Sequence, residues 1–125
     1  MLSNTHAIAT VAVKSLKTAR PFYENVLGLT PEPDNQPSTV TYKAGGAPLL
    51  VYESQYAGSN EATAVTWDLG DRLESEVKAL KAKGAAFEHY DMPDLTLKGD
   101  VHVAKDMKVA WLKDPDGNIH SLFGK

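Results

Sequence analysis

The sequence predicts an α+β protein built from two copies of one βαβββ unit. The order strand, helix, glycine, strand and hairpin occurs twice, and the copies register at a constant offset of 56 residues, as in Ala9 and Val65. The other matched pairs are Val11 with Trp67, Val13 with Leu69, Ser15 with Asp71, and Gly28 with Gly84. Because one helix covers only one face of a sheet, two such units must pack together to bury enough apolar surface. A chain of 125 residues with 42% hydrophobic content is expected to form one domain, 1–125, with modules at about 5–54 and 62–125.

The first unit begins with a β-rich run, HAIATVAV at residues 6–13, followed by an amphipathic helix. Ser15 is a plausible N-cap of that helix, and Gly28 ends it. If Ser15 is the cap, Pro21 lies too deep in the helix to be a first-turn proline. We therefore predict an irregular or 3₁₀ first turn, with regular helix from about Thr18.

An edge segment and a hairpin complete the first unit. Residues 30–37 contain three prolines, which predicts an edge strand or a loop. Two β-rich segments, 39–43 and 48–53, flank the pair Gly45-Gly46, a pattern typical of a hairpin. A linker rich in glycine, serine and asparagine follows at 54–62.

The second unit repeats this order. A strand is predicted over 64–69, and Asp71 is expected to cap a helix that Gly84 ends. Another strand is predicted over 86–90. The polar stretch 91–106 is long enough to be a lid or a binding loop.

The chain closes with a hairpin around a tight turn. Asp114 can accept from the backbone of the turn, Pro115 favours the dihedral angle of the second turn position, and Gly117 supplies a left-handed residue. Alternation along the outgoing strand, 118–123, puts its side chains on two faces. One face carries Ile119, Ser121 and Phe123, and the other carries His120 and Leu122.

Composition excludes several classes of function. The net charge is -3, with no basic block, so we expect no nucleic-acid partner. The absence of cysteine excludes disulfides, thiolate metal sites and cysteine nucleophiles. No segment has the roughly 20 apolar residues of a membrane span, and no signal sequence is recognisable, so we expect no membrane partner and a soluble cytoplasmic protein.

Three motifs in this order resemble those of the vicinal oxygen chelate superfamily, the glyoxalase/bleomycin resistance protein/dioxygenase group. They are the FY and VLGL segments at 22–29, the second-unit strand and helix with Thr66-Trp67 and Glu76 to Gly84, and the closing WLKDPDGN hairpin at 111–118. The resemblance covers nearly the whole chain. It implies two βαβββ modules whose curved mixed sheets enclose a cavity, often in a homodimer.

Metal-dependent members of that family bind an ion with His, Glu or Gln from four strands. The resemblance places those positions at Ile8, Ala64, Ser121, and either Leu50 or Val51. Because these side chains are apolar or a lone hydroxyl, they lack the imidazole or carboxylate donors that divalent metals need. We therefore expect no metal site and no cofactor.

Candidate ligand-binding residues lie on the faces that the resemblance turns towards the cavity. They are His6, Thr10, Tyr52, Thr66, Asp68, Trp111 and Ser121. His6 is either a donor or base at the cavity rim or a half-exposed terminal histidine. Either Tyr52 or Glu53 points inward, and alternation alone does not decide which.

The remaining histidines receive structural interpretations. His120 faces the helices and is predicted to be a hydrogen-bonded packing or dimer residue. His89 and His102, beside and within the long polar stretch, are predicted to lie on the surface.

Three functions are compatible with the sequence. The leading hypothesis is a metal-free protein that sequesters a small, partly apolar molecule between its modules. The alternatives are a lyase, isomerase or dioxygenase-like enzyme with a relocated site at His6, Asp68 and a loop histidine, and a non-catalytic interaction module. No catalytic residue can be assigned from the sequence.

Overall fold

A computed structural model describes residues 1–33 and 36–125 and confirms the predicted α+β architecture. Two helices, one π-helical turn and ten strands make up the described residues. In chain order they are β1 (Ala9–Val13), α1 (Leu16–Pro21), the π-helical turn (Phe22–Val26), β2 (Thr30–Pro31), β3 (Thr39–Ala44), β4 (Ala47–Glu53), β5 (Thr63–Gly70), α2 (Leu73–Ala82), β6 (Phe87–Glu88), β7 (Thr96–Lys98), β8 (Val101–Val103), β9 (Lys108–Lys113) and β10 (Ile119–Gly124). Neither helix in the described part of the chain is long and apolar enough to cross a membrane.

The strands form one mixed sheet in each unit. The first sheet has the order β1-β4-β3-β2, with β1 parallel to β4. The second has the order β5-β10-β9-β8-β7, with β5 parallel to β10 and the short β6 paired to β9. In both sheets the first strand of the unit pairs in parallel with the last, as a βαβββ unit requires.

The irregular part of the first helical segment lies after Pro21, so the prediction of an irregular first turn was wrong. The first turn is α-helical, because the N–H of Ala19 donates to the carbonyl of Ser15 over 3.0 Å. Pro21 lacks the N–H that would donate to the carbonyl of Lys17, whereas the Ala19–Ser15 bond of the first turn does not involve the proline nitrogen. Beyond it the helix widens to a π-helical turn, in which the N–H of Leu27 donates to the carbonyl of Phe22 over 2.9 Å.

Neither helix begins with the predicted side-chain cap. Ser15 occupies the cap position of α1, but its hydroxyl makes no capping bond. Instead, the carboxylate of Glu53 accepts from the N–H of Leu16 over 2.9 Å. The prediction of Asp71 as a cap was wrong, because Asp71 lies within the turn after β5 and Arg72 takes the cap position without a side-chain bond.

The polar stretch 91–106 is interrupted by two short strands, so the prediction of one long loop was wrong. It contains the hairpin β7–β8, whose turn includes Gly99 with a φ of 65°. The two strands are three residues long each, too short for their alternation to stand out in the sequence. The predicted edge segment 30–37 contributes the short edge strand β2. Asp34 and Asn35, which belong to it, lie outside the described residues.

The hydrophobic core lies on the helix-bearing faces of both sheets. One buried cluster joins α1 to the first sheet, and the other joins α2 to the second. Phe22, Leu27 and Trp67 pack against both clusters and so link the modules. The opposite faces of the two sheets are turned away from this shared core, and Ile8 and Thr10 on the first are exposed.

Buried polar groups around the closing turn, which we call the closing-turn network, also link the modules. The hydroxyl of Tyr23 donates to the carboxylate of Asp114 over 2.7 Å and lies 3.1 Å from Nε2 of His120. The indole N–H of Trp67 donates to Nδ1 of His120 over 3.0 Å. His120 is fully buried, which confirms its prediction as a hydrogen-bonded packing residue. The amide of Asn118 donates to the carbonyl of Ala12 at the end of β1.

The network fixes the protonation of His120. Because an indole can only donate, Nδ1 must carry the lone pair and Nε2 the proton of a neutral imidazole. Nε2 then donates to the Tyr23 hydroxyl, which donates to Asp114. Burial lowers the pKa of His120 to about 4, although the charge of Asp114 opposes the shift. Burial and then the charge of Asp114 raise the pKa of Tyr23, which keeps the phenol protonated as the donor.

Candidate functional site

Sheet register brings three of the predicted site residues into one row on the open face of the second sheet. Ser121 on β10 lies opposite Thr66 on β5 and opposite Trp111 on β9. Directly opposed side chains in neighbouring strands are in contact range. Thr66 is exposed, Ser121 is nearly buried and Trp111 is half-buried. Among the described residues, neither the Thr66 nor the Ser121 hydroxyl has a hydrogen-bond partner.

A second row runs beside the first on the same face. Asp68 lies opposite Phe123, which lies opposite Val109, which in turn lies opposite His102 on β8. Asp68 is exposed and accepts from the backbone N–H of Gly70 over 3.3 Å. The predicted residue Asp68 is therefore at the outer edge of this face and partly engaged in a turn.

An aromatic cluster of Tyr90, His102 and Trp111 stands on the same face. The rings of His102 and Trp111 are 4.8 Å apart between centroids at an angle of 72°, and those of Tyr90 and Trp111 are 5.1 Å apart at 76°. Both are edge-to-face arrangements, which are favourable between aromatic rings. The cluster therefore packs against the Trp111 indole, next to the Thr66 and Ser121 hydroxyls.

His102 is fully buried, so its prediction as a surface residue was wrong. Val101 and Val103 on either side of it face α2, which turns His102 to the opposite face of β8. Nε2 of His102 accepts from the backbone N–H of Tyr90 over 2.9 Å. The alternation Val-His-Val is the sequence signal for this placement, but it covers only three residues of a polar stretch. The other histidine of this region, His89, is exposed as predicted.

An open cleft of about 260 Å³ adjoins the cluster. Its lining is mostly apolar and comprises Glu61, Ala62, Thr63, Tyr90, Met92, Trp111 and Ile119. The size falls close to the lower end of small-molecule sites. A second crevice lies between the modules on the helix-bearing side, but its volume of about 70 Å³ is too small for such a ligand.

The predicted residues of the first unit lie apart from these rows. Thr10 and Tyr52 are on the open face of the first sheet, where Tyr52 is opposite Ala12. Glu53 lies on the helix-bearing face, because its carboxylate caps α1. Tyr52 is therefore the residue of the pair on the open face. His6 is exposed and precedes β1. No hydrogen bond or ring contact among the described residues joins His6, Thr10 or Tyr52 to the second-sheet group.

Metal-dependent members of the family that the sequence resembles bind an ion at four strand positions. In this chain the side chains at those positions are not suited to a metal ion. Leu50 lies on the open face, whereas Val51 is buried in the core, so the four positions are Ile8, Leu50, Ala64 and Ser121. These side chains offer no imidazole or carboxylate. Within residues 1–33 and 36–125, no group of three or more histidine or acidic side chains could hold a metal ion.

The residues of the alternative enzyme site, which are His6, Asp68 and a loop histidine, do not form a cluster among the described residues. His6 is exposed ahead of β1, and Nε2 of His102 is engaged by Tyr90. His89 is paired with Asp100 over 2.8 Å. Hydrogen bonds from Lys81 and then from His89 lower the pKa of Asp100.

Comparison with known proteins supports the fold. No family model matches the sequence, and no curated protein matches it. Among solved structures, a glyoxalase/bleomycin resistance protein/dioxygenase from Alicyclobacillus acidocaldarius has a TM-score of 0.73 at 18% identity, covering 97% of this chain and 91% of its own. A lactoylglutathione lyase from Agrobacterium tumefaciens has a TM-score of 0.70 at 17% identity, covering 99% and 96%. The fosfomycin resistance protein FosX from Listeria monocytogenes has a TM-score of 0.66 at 17% identity, covering 100% and 93%.

The match to these structures extends over both modules, as the shares of each chain show. The order of the elements, the parallel pairing within each sheet and the closing hairpin agree with the resemblance found in the sequence. The chain therefore has the glyoxalase/bleomycin resistance protein/dioxygenase fold of the vicinal oxygen chelate superfamily.

Proposed function

We propose that the protein binds a small, partly apolar molecule on the open face of its second sheet, without a metal ion. The observation that carries this proposal is the row of Thr66, Ser121 and Trp111, which combines two unpaired hydroxyls with one indole. Ligand sites in proteins are typically apolar surfaces with a few well-placed polar groups. The row and its neighbouring cleft have this character.

The shape of the cleft favours a ligand with a flat apolar part. Trp111 and Tyr90 stand edge-to-face, so each presents a ring surface or edge to the cleft, and Met92 and Ile119 add apolar contact. Aromatic side chains bury a large area with little loss of conformational freedom. The hydroxyls of Thr66 and Ser121 can donate to or accept from a polar substituent of the same ligand.

Sequestration is the favoured mode of action. Structurally similar proteins include one named a lyase and one named a resistance protein, so the fold alone does not decide between a reaction and binding. The side chains at the four metal-binding positions of the family that the sequence resembles support binding without a metal, because Ile8, Leu50 and Ala64 are apolar and Ser121 offers only a hydroxyl. We propose the cytoplasm as its compartment.

We also propose a homodimer that completes the site. The open face of the first sheet bears Ile8, which is 51% exposed, together with Thr10 and Tyr52. In this dimer the face lies over the second-sheet row of the other copy, so Tyr52 of one chain contributes to ligand binding on the other.

Loss of the Trp111 ring should weaken binding strongly. We expect wild-type protein to bind N-phenyl-1-naphthylamine, a neutral dye that fluoresces in apolar surroundings, saturably, and Trp111→Ala to raise its dissociation constant about tenfold. The dye titration measures this. Tyr56→Ala is the matched control, since Tyr56 is a 76% exposed aromatic outside the face, and it should leave the constant unchanged.

One result of the same titration would count against the proposed site, and a further variant tests whether a second copy completes it. Equal affinity of the wild type and Trp111→Ala would place the dye elsewhere. Weakening by Tyr52→Ala would support a site completed by a partner copy, whereas no effect of Tyr52→Ala would restrict the site to the second sheet. The molar mass of the protein in solution shows whether it forms a dimer.

Divalent metals should leave the stability unchanged. Because the four strand positions carry no donors, we expect the unfolding temperature to shift by less than about 1 °C on addition of Ni²⁺, Zn²⁺, Mn²⁺ or Fe²⁺. A bound ion would raise it by mass action, by several degrees for ligand concentrations far above the dissociation constant. A saturable rise that disappears with EDTA would contradict the metal-free proposal and favour an enzyme with a relocated site.

A further inference from the structure

One buried polar atom on the second-sheet face has no partner. It is Nδ1 of His102, in a side chain that is fully buried. The other ring nitrogen, Nε2, accepts from the backbone N–H of Tyr90 and therefore carries a lone pair. In the neutral imidazole the proton must then be on Nδ1. His102 thus presents a buried N–H donor to which nothing in the described residues accepts.

Such a donor is destabilising unless something accepts from it, and buried polar groups in proteins are nearly always paired. The position of this one connects it to the cleft. The His102 ring packs edge-to-face on Trp111 at 4.8 Å and lies 6.2 Å from the Tyr90 ring at an angle of 29°. Trp111 and Tyr90 both line the cleft, so His102 contacts two of its lining residues.

The charges around the cleft indicate the kind of acceptor. The only ionisable side chains that line it are those of Glu61 and Tyr90. The ammonium group of Lys113, two residues after Trp111 on β9, is already paired with Glu88 over 3.0 Å. With an acidic group at its rim and no unpaired cation in its lining, the cleft disfavours an anion and suits a neutral acceptor.

We infer that the Nδ1–H of His102 anchors the ligand by donating to a neutral carbonyl oxygen attached to a ring. This inference rests on the proposed function and names the ligand class for the same site. The ring occupies the cleft against Trp111, and the oxygen reaches between the Tyr90 and Trp111 rings, which meet at 5.1 Å and must part to admit it. His102 is then a specificity-determining residue, because a ligand without an acceptor leaves its donor unpaired.

Two probes that differ in the presence of a carbonyl group test this inference. Acetophenone and ethylbenzene have the same ring and nearly the same size, but only the first has a carbonyl oxygen. We expect acetophenone to bind about tenfold more tightly than ethylbenzene, since one buried hydrogen bond separates them. Dissociation constants follow from the shift of the Trp111 indole N–H signal in ¹H–¹⁵N spectra. Benzoate, with a charged acceptor, should bind more weakly than acetophenone.

Two substitutions at His102 distinguish the roles of its two ring nitrogens, Nε2 as an acceptor and Nδ1 as a donor. The side-chain oxygen of glutamine is as many bonds from Cα as Nε2, so His102→Gln keeps an acceptor for the Tyr90 N–H and removes the donor at Nδ1. The side-chain amide of asparagine is as many bonds from Cα as Nδ1, so His102→Asn keeps that donor. We expect the preference for acetophenone to be lost in His102→Gln and retained in His102→Asn.

The outcomes distinguish this inference from the function on which it rests. If neither probe shifts the Trp111 signal, the proposed function fails and the inference fails with it. If both probes bind equally to the wild type, or if His102→Gln keeps the preference for acetophenone, the function stands and the donor role is overturned. Equal binding of benzoate and acetophenone would overturn the restriction to neutral acceptors.

Discussion

Replacement of Asp114 by alanine is expected to lower the free energy of unfolding by about 3–5 kcal/mol. The side chain is 5% exposed and accepts four hydrogen bonds: from the Tyr23 hydroxyl, from the backbone N–H groups of Asp116 and Asn118, and from the Asn118 side-chain amide. Alanine leaves these buried donors unpaired and breaks the turn that fixes the register of β10. Urea unfolding of both proteins at pH 7 measures the difference.

The same turn offers a matched control for this prediction. Asp116 has one tertiary hydrogen bond, in which its carboxylate accepts from the backbone N–H of Lys14 over 3.2 Å. Because that bond is exposed, Asp116→Ala should cost less than about 1 kcal/mol. Equal destabilisation by Asp114→Ala and Asp116→Ala would contradict the role of Asp114 as the centre of the closing-turn network.

Acid is expected to destabilise the fold through His120, with the loss beginning near pH 6.5. The pKa of His120 is lowered by burial to about 4 in the folded chain, from an ordinary value of 6.5. The unfolded chain therefore binds a proton in this interval that the folded chain does not. The stability from this group is complete above pH 6.5 and is lost as the pH falls towards 4, by about 3 kcal/mol in total.

A non-titrating variant isolates the contribution of His120 from that of the carboxylates. The side-chain oxygen of asparagine can accept from the Trp67 indole in place of Nδ1, so His120→Asn keeps part of the network. We expect this variant to be less stable at pH 7 but to lose about 2–3 kcal/mol less than the wild type between pH 7 and pH 4.5. Unfolding free energies at several pH values measure both slopes. Parallel slopes would show that His120 does not titrate in this interval.

The fold was predictable because its main signals are repeated and local. The offset between Ala9 and Val65 reveals two units, and the turn at Asp114 fixes the last strand, so alternation assigns its faces. The same alternation predicted Thr66 and Ser121 on one face. Sheet register then places them side by side, next to Trp111.

The candidate site was less predictable because it depends on contacts between elements distant in sequence. Tyr52 and Glu53 could not be told apart until the structure placed Glu53 against the start of α1. The sequence does not predict the burial of His102, because the burial of a three-residue strand depends on the sheet that receives it. In each case the deciding interaction is tertiary.

The position of a bound ligand relative to the two tryptophans tests the central proposal most directly. The chain contains two tryptophans, Trp67 in the closing-turn network and Trp111 on the open face, so its ¹H–¹⁵N spectrum has two indole N–H signals. Addition of acetophenone should shift the Trp111 signal saturably and leave the Trp67 signal in place. A saturable shift of Trp67 alone, or no shift of Trp111 up to the solubility limit of the probe, would contradict a binding site on the second sheet.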